Sequence, residues 1–245
     1  MFKKITVLLL VFNFLTLPAF AEKQEWVDKN FDFSKAKKIY CANYIPDVLA
    51  NGIVEHEIND IVCEKFDSKI VNKLTPYKYE FYSIEDIIDE IKEKQGTDLN
   101  ILGKMDPEAA NATISQYLNE NFDLAFLSYV QVYGTASQYV QGHYMETPST
   151  QTSQVITPNG VGTVYTQGTT KTYIPGGYAA KPCAVVRFEV INIKTDNAVW
   201  VRIDDRAKVN TIVDNTKPKD ILSRIVSSFY GDFSSRLIKD CKKEK

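Results

Sequence analysis

The sequence predicts an α+β fold: a mixed or antiparallel β-sheet with helices packed on one face, a long polar β-arm or loop, and a C-terminal helix docked on the sheet. Three observations carry that prediction. Residues 184–205, AVVRFEVINIKTDNAVWVRIDD, alternate in two runs around a short polar turn. Apolar residues recur at three- and four-residue steps in parts of the first half and again after Pro218. Between about 142 and 182 the chain becomes polar and almost uncharged, with no core pattern of its own.

In chain order, residues 1–21 carry Lys3 and Lys4, an apolar run over 5–17 and then Pro18-Ala19-Phe20-Ala21, the pattern of a secretory signal peptide. The apolar run is shorter than the roughly 20 residues a spanning helix needs. Glu22, not a cysteine, follows Ala21, so the expectation is an exported chain, periplasmic or extracellular, with no lipid anchor and no integral membrane span after cleavage. Residues 22–245 are read as a single α+β domain with a long polar insertion at about 142–182.

Residues 26–34 lead into a first strand at 37–42, rich in strand formers such as Ile39 and Tyr40. Within 48–66 the residues Ile53, Ile58, Ile61, Val62 and Phe66 fall on one helical face. Residues 77–82 alternate like a strand. Ser83 with Asp86 three residues later then forms a capping-box start for a helix bearing Ile87, Ile88 and Ile91. Asp106-Pro107 opens another helix, with Asp as cap and Pro in the first turn.

A long strand is expected from Leu124 to Tyr133, with Gly134 as a bulge or bend before 135–141. In the late hairpin Val186, Phe188 and Val190 oppose Arg187 and Glu189, while Val199, Val201 and Ile203 alternate with Trp200, Arg202 and Asp204. Its turn is Lys194-Thr195-Asp196-Asn197, where Asp and Asn tolerate positive φ. The closing helix aligns Leu222, Val226, Phe229, Phe233 and Leu237 in a stripe that fits a sheet face.

Against 31 acidic residues there are 29 basic ones, and loss of Lys3 and Lys4 with the signal takes the net charge from −2 to about −4. No basic stripe is present, which excludes nucleic acid as a partner. Lys242-Lys243-Glu244-Lys245 reads as a solvated tail.

No motif specifies a reaction. There is no G-x-S-x-G elbow, and Gly160, Gly162, Gly176 and Gly177 sit in the polar stretch with no strand before and no helix after them to cradle phosphate. His56 and Asp60 share a helical face, two groups where a metal site needs more, and His143 lies at the edge of the insertion, so no catalytic, cofactor or metal residue is assigned. Asp204 and Asp205 are adjacent on a strand and should diverge to opposite faces, next to Arg206. Asn111-Ala112-Thr113 matches a glycosylation triplet but falls within a helix. Cys41, Cys63, Cys183 and Cys241 allow three disulfide connectivities in an exported chain, among which Cys41 with Cys183 and Cys63 with Cys241 would tie early elements to late ones.

Alternation at Val161, Thr163 and Tyr165, with Asn159-Gly160 as a turn, points to a β-arm in the insertion. Tyr144, Tyr165, Tyr173 and Tyr178 stand among small polar residues there, a composition that supplies contact area at low entropic cost. They are the candidate partner contacts.

Phe31-Asp32-Phe33-Ser34-Lys35 ahead of a first strand, and the V-x-F-x-V-x-x-x-K-T-x-x-x-V-W pattern within 185–200, resemble bacterial exported domains of unknown function that begin D-F-S-K and carry a D-x-x-T-G-x-x-V-W hairpin. The hairpin is also similar to that of the curli-secretion lipoprotein and the N-terminal domain of the Tol-system translocation protein. Asn197 occupies the usual turn glycine, and the lipid-attachment cysteine common in such relatives is absent. The resemblance implies a non-enzymatic envelope protein acting through partner contacts or assembly, with an envelope protein or polymer as the partner. The alternatives are a carboxylate-based hydrolase or carbohydrate-active enzyme using Asp204 or Asp205, and a small-ligand carrier with a cavity between sheet and helices.

Overall fold

The computed structural model describes residues 22–157, 160–210 and 215–243; the expected signal peptide at 1–21 and Asn159 of the arm's expected turn lie outside the described residues. Six strands form one mixed sheet: β1 (Glu22–Val27), β2 (Lys38–Tyr44), β3 (Glu80–Tyr82), β4 (Leu124–Val140), and two late strands described below. A separate two-stranded sheet consists of β5 (His143–Thr157) and β6 (Gly160–Ile174). After it come β7 (Gly177–Asn192) and β8 (Asn197–Ala207), giving the main sheet the order β1-β8-β7-β4-β2-β3. β2 runs parallel to both β3 and β4, and the other pairings are antiparallel.

The helices are α1 (Ile53–Phe66), which continues through a π-helical turn at Asp67–Val71 into α2 (Asn72–Leu74), then α3 (Ile84–Gln95), α4 (Leu99–Met105), α5 (Pro107–Asn121) and α6 (Pro218–Lys243). Ser83 caps α3 as expected: its hydroxyl accepts from the Asp86 N–H, and the Asp86 carboxylate accepts from the Ser83 N–H at 2.7 Å. Asp106 caps α5 through the Ala109 N–H at 3.0 Å. The α+β class is thus the one expected, but the sheet is covered on two faces, not one. Ile39, Cys41 and Phe81 pack with α1 and α6, whereas Tyr40 and Tyr82, their neighbours in the same strands, pack with Ile87, Ile91, Tyr117 and Phe122 beneath α3 to α5. The cause is connectivity: the link from β2 to β3 passes along the α6 face and the link from β3 to β4 along the other.

The main core is an aromatic seam. Phe229 of α6 stacks on Phe188 of β7 with ring centroids 4.2 Å apart, and Phe126 of β4 lies 5.2 Å from Phe233. Leu222, Val226, Phe229, Phe233 and Leu237 are all fully buried, as the stripe predicts. Three departures from the sequence reading matter. Residues 22–27 form an edge strand on β8 that was not expected and that takes Trp26 and Val27 from the 26–34 lead-in, and α4 is a further helix. The irregularity in β4 falls between Val130 and Val132, while Gly134 keeps register with Cys183. It marks the point where β4 leaves the core: Val130 is buried and the residues after it are half-buried or exposed, and an extra residue there raises the local twist.

Among the described residues no helix is long and apolar enough to cross a membrane.

Phe229→Ala should cost about 3–5 kcal/mol of stability by urea unfolding, because it opens a cavity under both Phe188 and Phe233. Replacing residues 143–174 with a short glycine linker should leave the cooperative thermal melt in place, since none of the described core residues lies in that segment; loss of the cooperative transition would show the segment to be part of the core.

Candidate functional site

Beyond the core, β4 and β7 remain paired to Val140 and Gly177, and β5 with β6 carries the ribbon on through fifteen cross-strand pairs, His143 opposite Ile174 to Thr157 opposite Gly160. At about 3.4 Å per residue, β5 and β6 are roughly 50 Å long. The break between the two sheets is built from paired glycines and tyrosines. Tyr139 and Tyr178 face each other before it with centroids 5.5 Å apart, and Tyr144 and Tyr173 face each other after it at 5.2 Å. A Cβ on Gly142 would lie 2.8 Å from the Gly176 nitrogen, and one on Gly176 would lie 2.6 Å from the Tyr139 hydroxyl and 2.8 Å from the Gly142 nitrogen. Only glycine lets the two backbones cross this closely.

Of the expected contact residues, the structure brings Tyr144 and Tyr173 together and leaves both largely exposed, with Tyr178 81% exposed on the core side of the break. Tyr165 is far from them, opposite Thr152 along the ribbon, and its side chain lies outside the described residues. Tyr139 was not picked out by the sequence because it falls in the expected core strand, outside the polar window.

The four cysteines are free thiols, and the pairings of Cys41 with Cys183 and Cys63 with Cys241 are not formed. Topology explains the first. Cys41 sits opposite Phe126 on one side of β4, and Cys183 opposite Gly134 on its other side. That separates them by two strand spacings, roughly 10 Å, and by roughly 25 Å along the strand, where a disulfide needs Cα atoms within about 7 Å. Cys241 lies near the start of β2, 3.3 Å from both the Lys37 ammonium and the Tyr79 hydroxyl, whereas Cys63 faces the other end of that strand.

His56 Nδ1 lies 2.8 Å from Asp60 on an exposed face of α1, the neighbourhood their spacing predicts; among the described residues no third His, Cys, Asp or Glu completes a metal-binding group. His143 opens β5. Asp204 and Asp205 diverge as expected. Asp204 is buried and taken up by Arg202 at 3.0 Å and by Arg206 at 2.6 and 2.8 Å, while Asp205 is exposed. Some loss of hydration, with Glu22 nearby, still pushes the exposed Asp205 carboxyl up. Two carboxylates facing opposite ways do not flank a glycosidic bond. Arg202, fully buried, also donates to Ser228 and Asp232 of α6 at 2.8 Å each.

A cleft of about 600 Å³ opens at the carboxyl ends of β2 and β3. Phe66, Phe81 and Phe126 wall it, and the edge of Phe66 meets Phe81, Phe126 and Tyr230 at centroid distances of 5.5 to 5.9 Å. At its base lie Ser128 and Tyr230, both buried, and the Tyr230 hydroxyl makes no hydrogen bond of ordinary geometry although Ser128 faces it. Burial pushes the Tyr230 phenol and the Cys41 thiol up, and burial next to Asp67 and Asp60 does the same for Cys63. The rim carries Asp67, Glu85 and Asp86 and no lysine or arginine. The sequence marked Phe66 for a helical stripe, Cys41 and Cys63 as disulfide candidates and Ser83 with Asp86 as a cap, but it did not group them as a site, because the lining comes from β2, α1, the π-helical turn, β3, α3, β4 and α6, which no linear pattern joins.

No family model and no curated protein matches the chain. Among solved structures, the PelC dodecamer from Paraburkholderia phytofirmans aligns with a TM-score of 0.36 at 9% identity, over 86% of this chain and 96% of that one. A neuraminyllactose-binding hemagglutinin homolog from Helicobacter pylori aligns with a TM-score of 0.37 at 9% identity, over 86% of this chain and 90% of that one. Likeness at this level carries no functional assignment.

Arg202→Ala should destabilise the protein by about 3–5 kcal/mol, since it strips a buried ion-pair network of its centre, while Arg202→Met, which refills the space, should cost less; paired urea titrations measure the difference.

Proposed function

We propose that the protein is an exported, non-enzymatic binding or assembly module of the cell envelope, and that it engages its partner through the β5–β6 ribbon. The observation that carries this reading is the pair of open ribbon edges. An isolated two-stranded sheet is marginally stable in water, and proteins ordinarily blunt or cover an exposed strand edge with charge, proline or a packed element. Among the described residues β5 and β6 pair only with each other, and the charged residues in their sequences amount to one cross-strand pair, Glu146 with Lys171 at 2.8 Å, with Pro148 the one proline within the two strands. Each edge therefore offers a row of backbone donors and acceptors, which suits a protein strand added by β-augmentation better than a polymer chain. Tyr144, Tyr173 and Tyr178 add amphipathic contact area at the base.

The resemblance to exported domains with a D-F-S-K start belongs to the same proposal. Asp32 accepts from the Ser34 N–H at 3.1 Å to cap a short 3-10 turn ahead of β2, and Val199-Trp200 lies in β8, so the residues that carry the resemblance serve the fold and lie outside the ribbon.

The experiment is crosslinking in envelope fractions of the native host, comparing the intact chain with one lacking residues 143–174. The expected result is a specific protein adduct formed by the intact chain and lost on deletion. Equal recovery by both forms would refute the ribbon as the contact surface, and recovery of polymer alone would replace strand addition with polymer binding.

A further inference from the structure

The cleft at the ends of β2 and β3 lies in the core, apart from the ribbon, and three independent features point to a ligand there. The first is topology. β2 and β3 are adjacent and parallel, yet the chain leaving β2 enters α1 on the α6 face, and the chain leaving β3 enters α3 on the opposite face. Neighbouring parallel strands whose connections depart to opposite faces leave a crevice outside their carboxyl ends, which is where open α/β sheets bind ligands. The cleft occupies that crevice, with residues of the α1 side such as Phe66 and Asp67 facing the first turn of α3.

The second feature is its interior. A volume of about 600 Å³ is within the range of small-molecule sites, and the mainly aromatic walls meet a small number of polar groups at the base. Tyr230 is fully buried, yet its hydroxyl forms no regular hydrogen bond. A buried phenol usually finds a partner, since an unpaired hydroxyl forfeits its hydration with nothing in exchange. The third feature is the charge of the rim. Asp67 and Glu85 are exposed and form no salt bridge among the described residues, Asp86 is turned back onto the Ser83 N–H, and no basic side chain lines the cleft. Such a rim repels anions and attracts cations, while aromatic walls accept either an apolar body or a cation over a ring face.

We propose that this cleft binds a small organic amine with an aromatic or cyclic apolar body, the body lying against the wall formed by Phe66 and Phe81 with its far end toward Tyr230 and Ser128, and the ammonium at Asp67 and Glu85. Cys63 stands at the same cleft and is exposed, so its thiol reports occupancy.

The test titrates the mature protein with tyramine, tryptamine and cyclohexylmethylamine, with 3-phenylpropionate as the anionic control, by calorimetry and by the rate of Cys63 alkylation with a maleimide in a Cys41→Ser, Cys183→Ser, Cys241→Ser background. The expected result is saturable binding of at least one amine, slower alkylation of Cys63 when it is bound, and affinity at least about fivefold weaker for 3-phenylpropionate, for Asp67→Asn with Glu85→Gln, and in 0.5 M salt. Both rim residues are exposed; if the double variant loses its melt, Glu85→Gln alone carries the comparison, and calorimetry on the unsubstituted chain stands if the serine background does not fold. No saturable binding of any amine up to about 10 mM, or equal affinity for the amine and the carboxylate, or binding indifferent to the rim substitutions, would overturn the proposal.

Discussion

The stack of Phe229 on Phe188 is the contact on which the rest of the molecule depends. It fixes the rotation and height of the 26-residue α6 over the sheet, with Phe126, Trp200 and Phe233 closing around it. Once that register is set, every other assignment of α6 follows from helical spacing. Tyr230 reaches the base of the cleft, Ser228 and Asp232 reach Arg202, and Cys241 reaches Lys37 and Tyr79. A helix rotated by one residue would lose all of these together, because core aromatics interlock in discrete arrangements and do not slide.

The buried charge in β8 is the second consequence of that docking. Arg202 lies under α6 with its guanidinium 5.5 Å from the centre of the Phe229 ring, and it meets Asp204, Asp232 and Ser228 at hydrogen-bond distance. Removing one partner of such a network strands another charge in a dry site. The network also reaches the edge strand: Glu25 of β1 lies 3.7 Å from Arg202 and accepts from the Trp200 indole N–H at 3.1 Å. This gives β1, whose side chains are mostly exposed, a specific place in the sheet.

Core and ribbon obey different physics. The core is held by aromatic burial, and the buried charges Arg202 and Asp204 are paired with each other. The ribbon has backbone pairing joined, among its described side chains, by the Tyr144–Tyr173 contact and the Glu146–Lys171 pair, and the Gly142–Gly176 crossing with its two tyrosine pairs separates the two regimes. A cleft with an aromatic interior and a strand pair with open edges are distinct kinds of recognition surface, one suited to a small molecule and the other to a chain.

What the sequence determined by itself was local. The Ser83-Asp86 capping box, the Asp106-Pro107 start, the α6 stripe and the hairpin around Asp196, which does take positive φ at 53°, are each written in a few adjacent residues, and each formed as read. The arm's strand character was legible for the same reason, in the alternation at Val161, Thr163 and Tyr165, whereas the pairing of Gly177 to Pro182 with β4 was not. Tertiary structure decided the remainder. Which face of β8 turns inward could not be read from alternation, because Val201 and Ile203 look like the core face; α6 carries Asp232 and Ser228 to the opposite side, and so Trp200, Arg202 and Asp204 are the residues buried. The cysteines stay apart because β4 lies between β2 and β7, an insertion that only strand order specifies. The cleft exists because two crossovers leave adjacent strands toward opposite faces, and the sense of a crossover is a property of the assembled sheet that no window of residues contains.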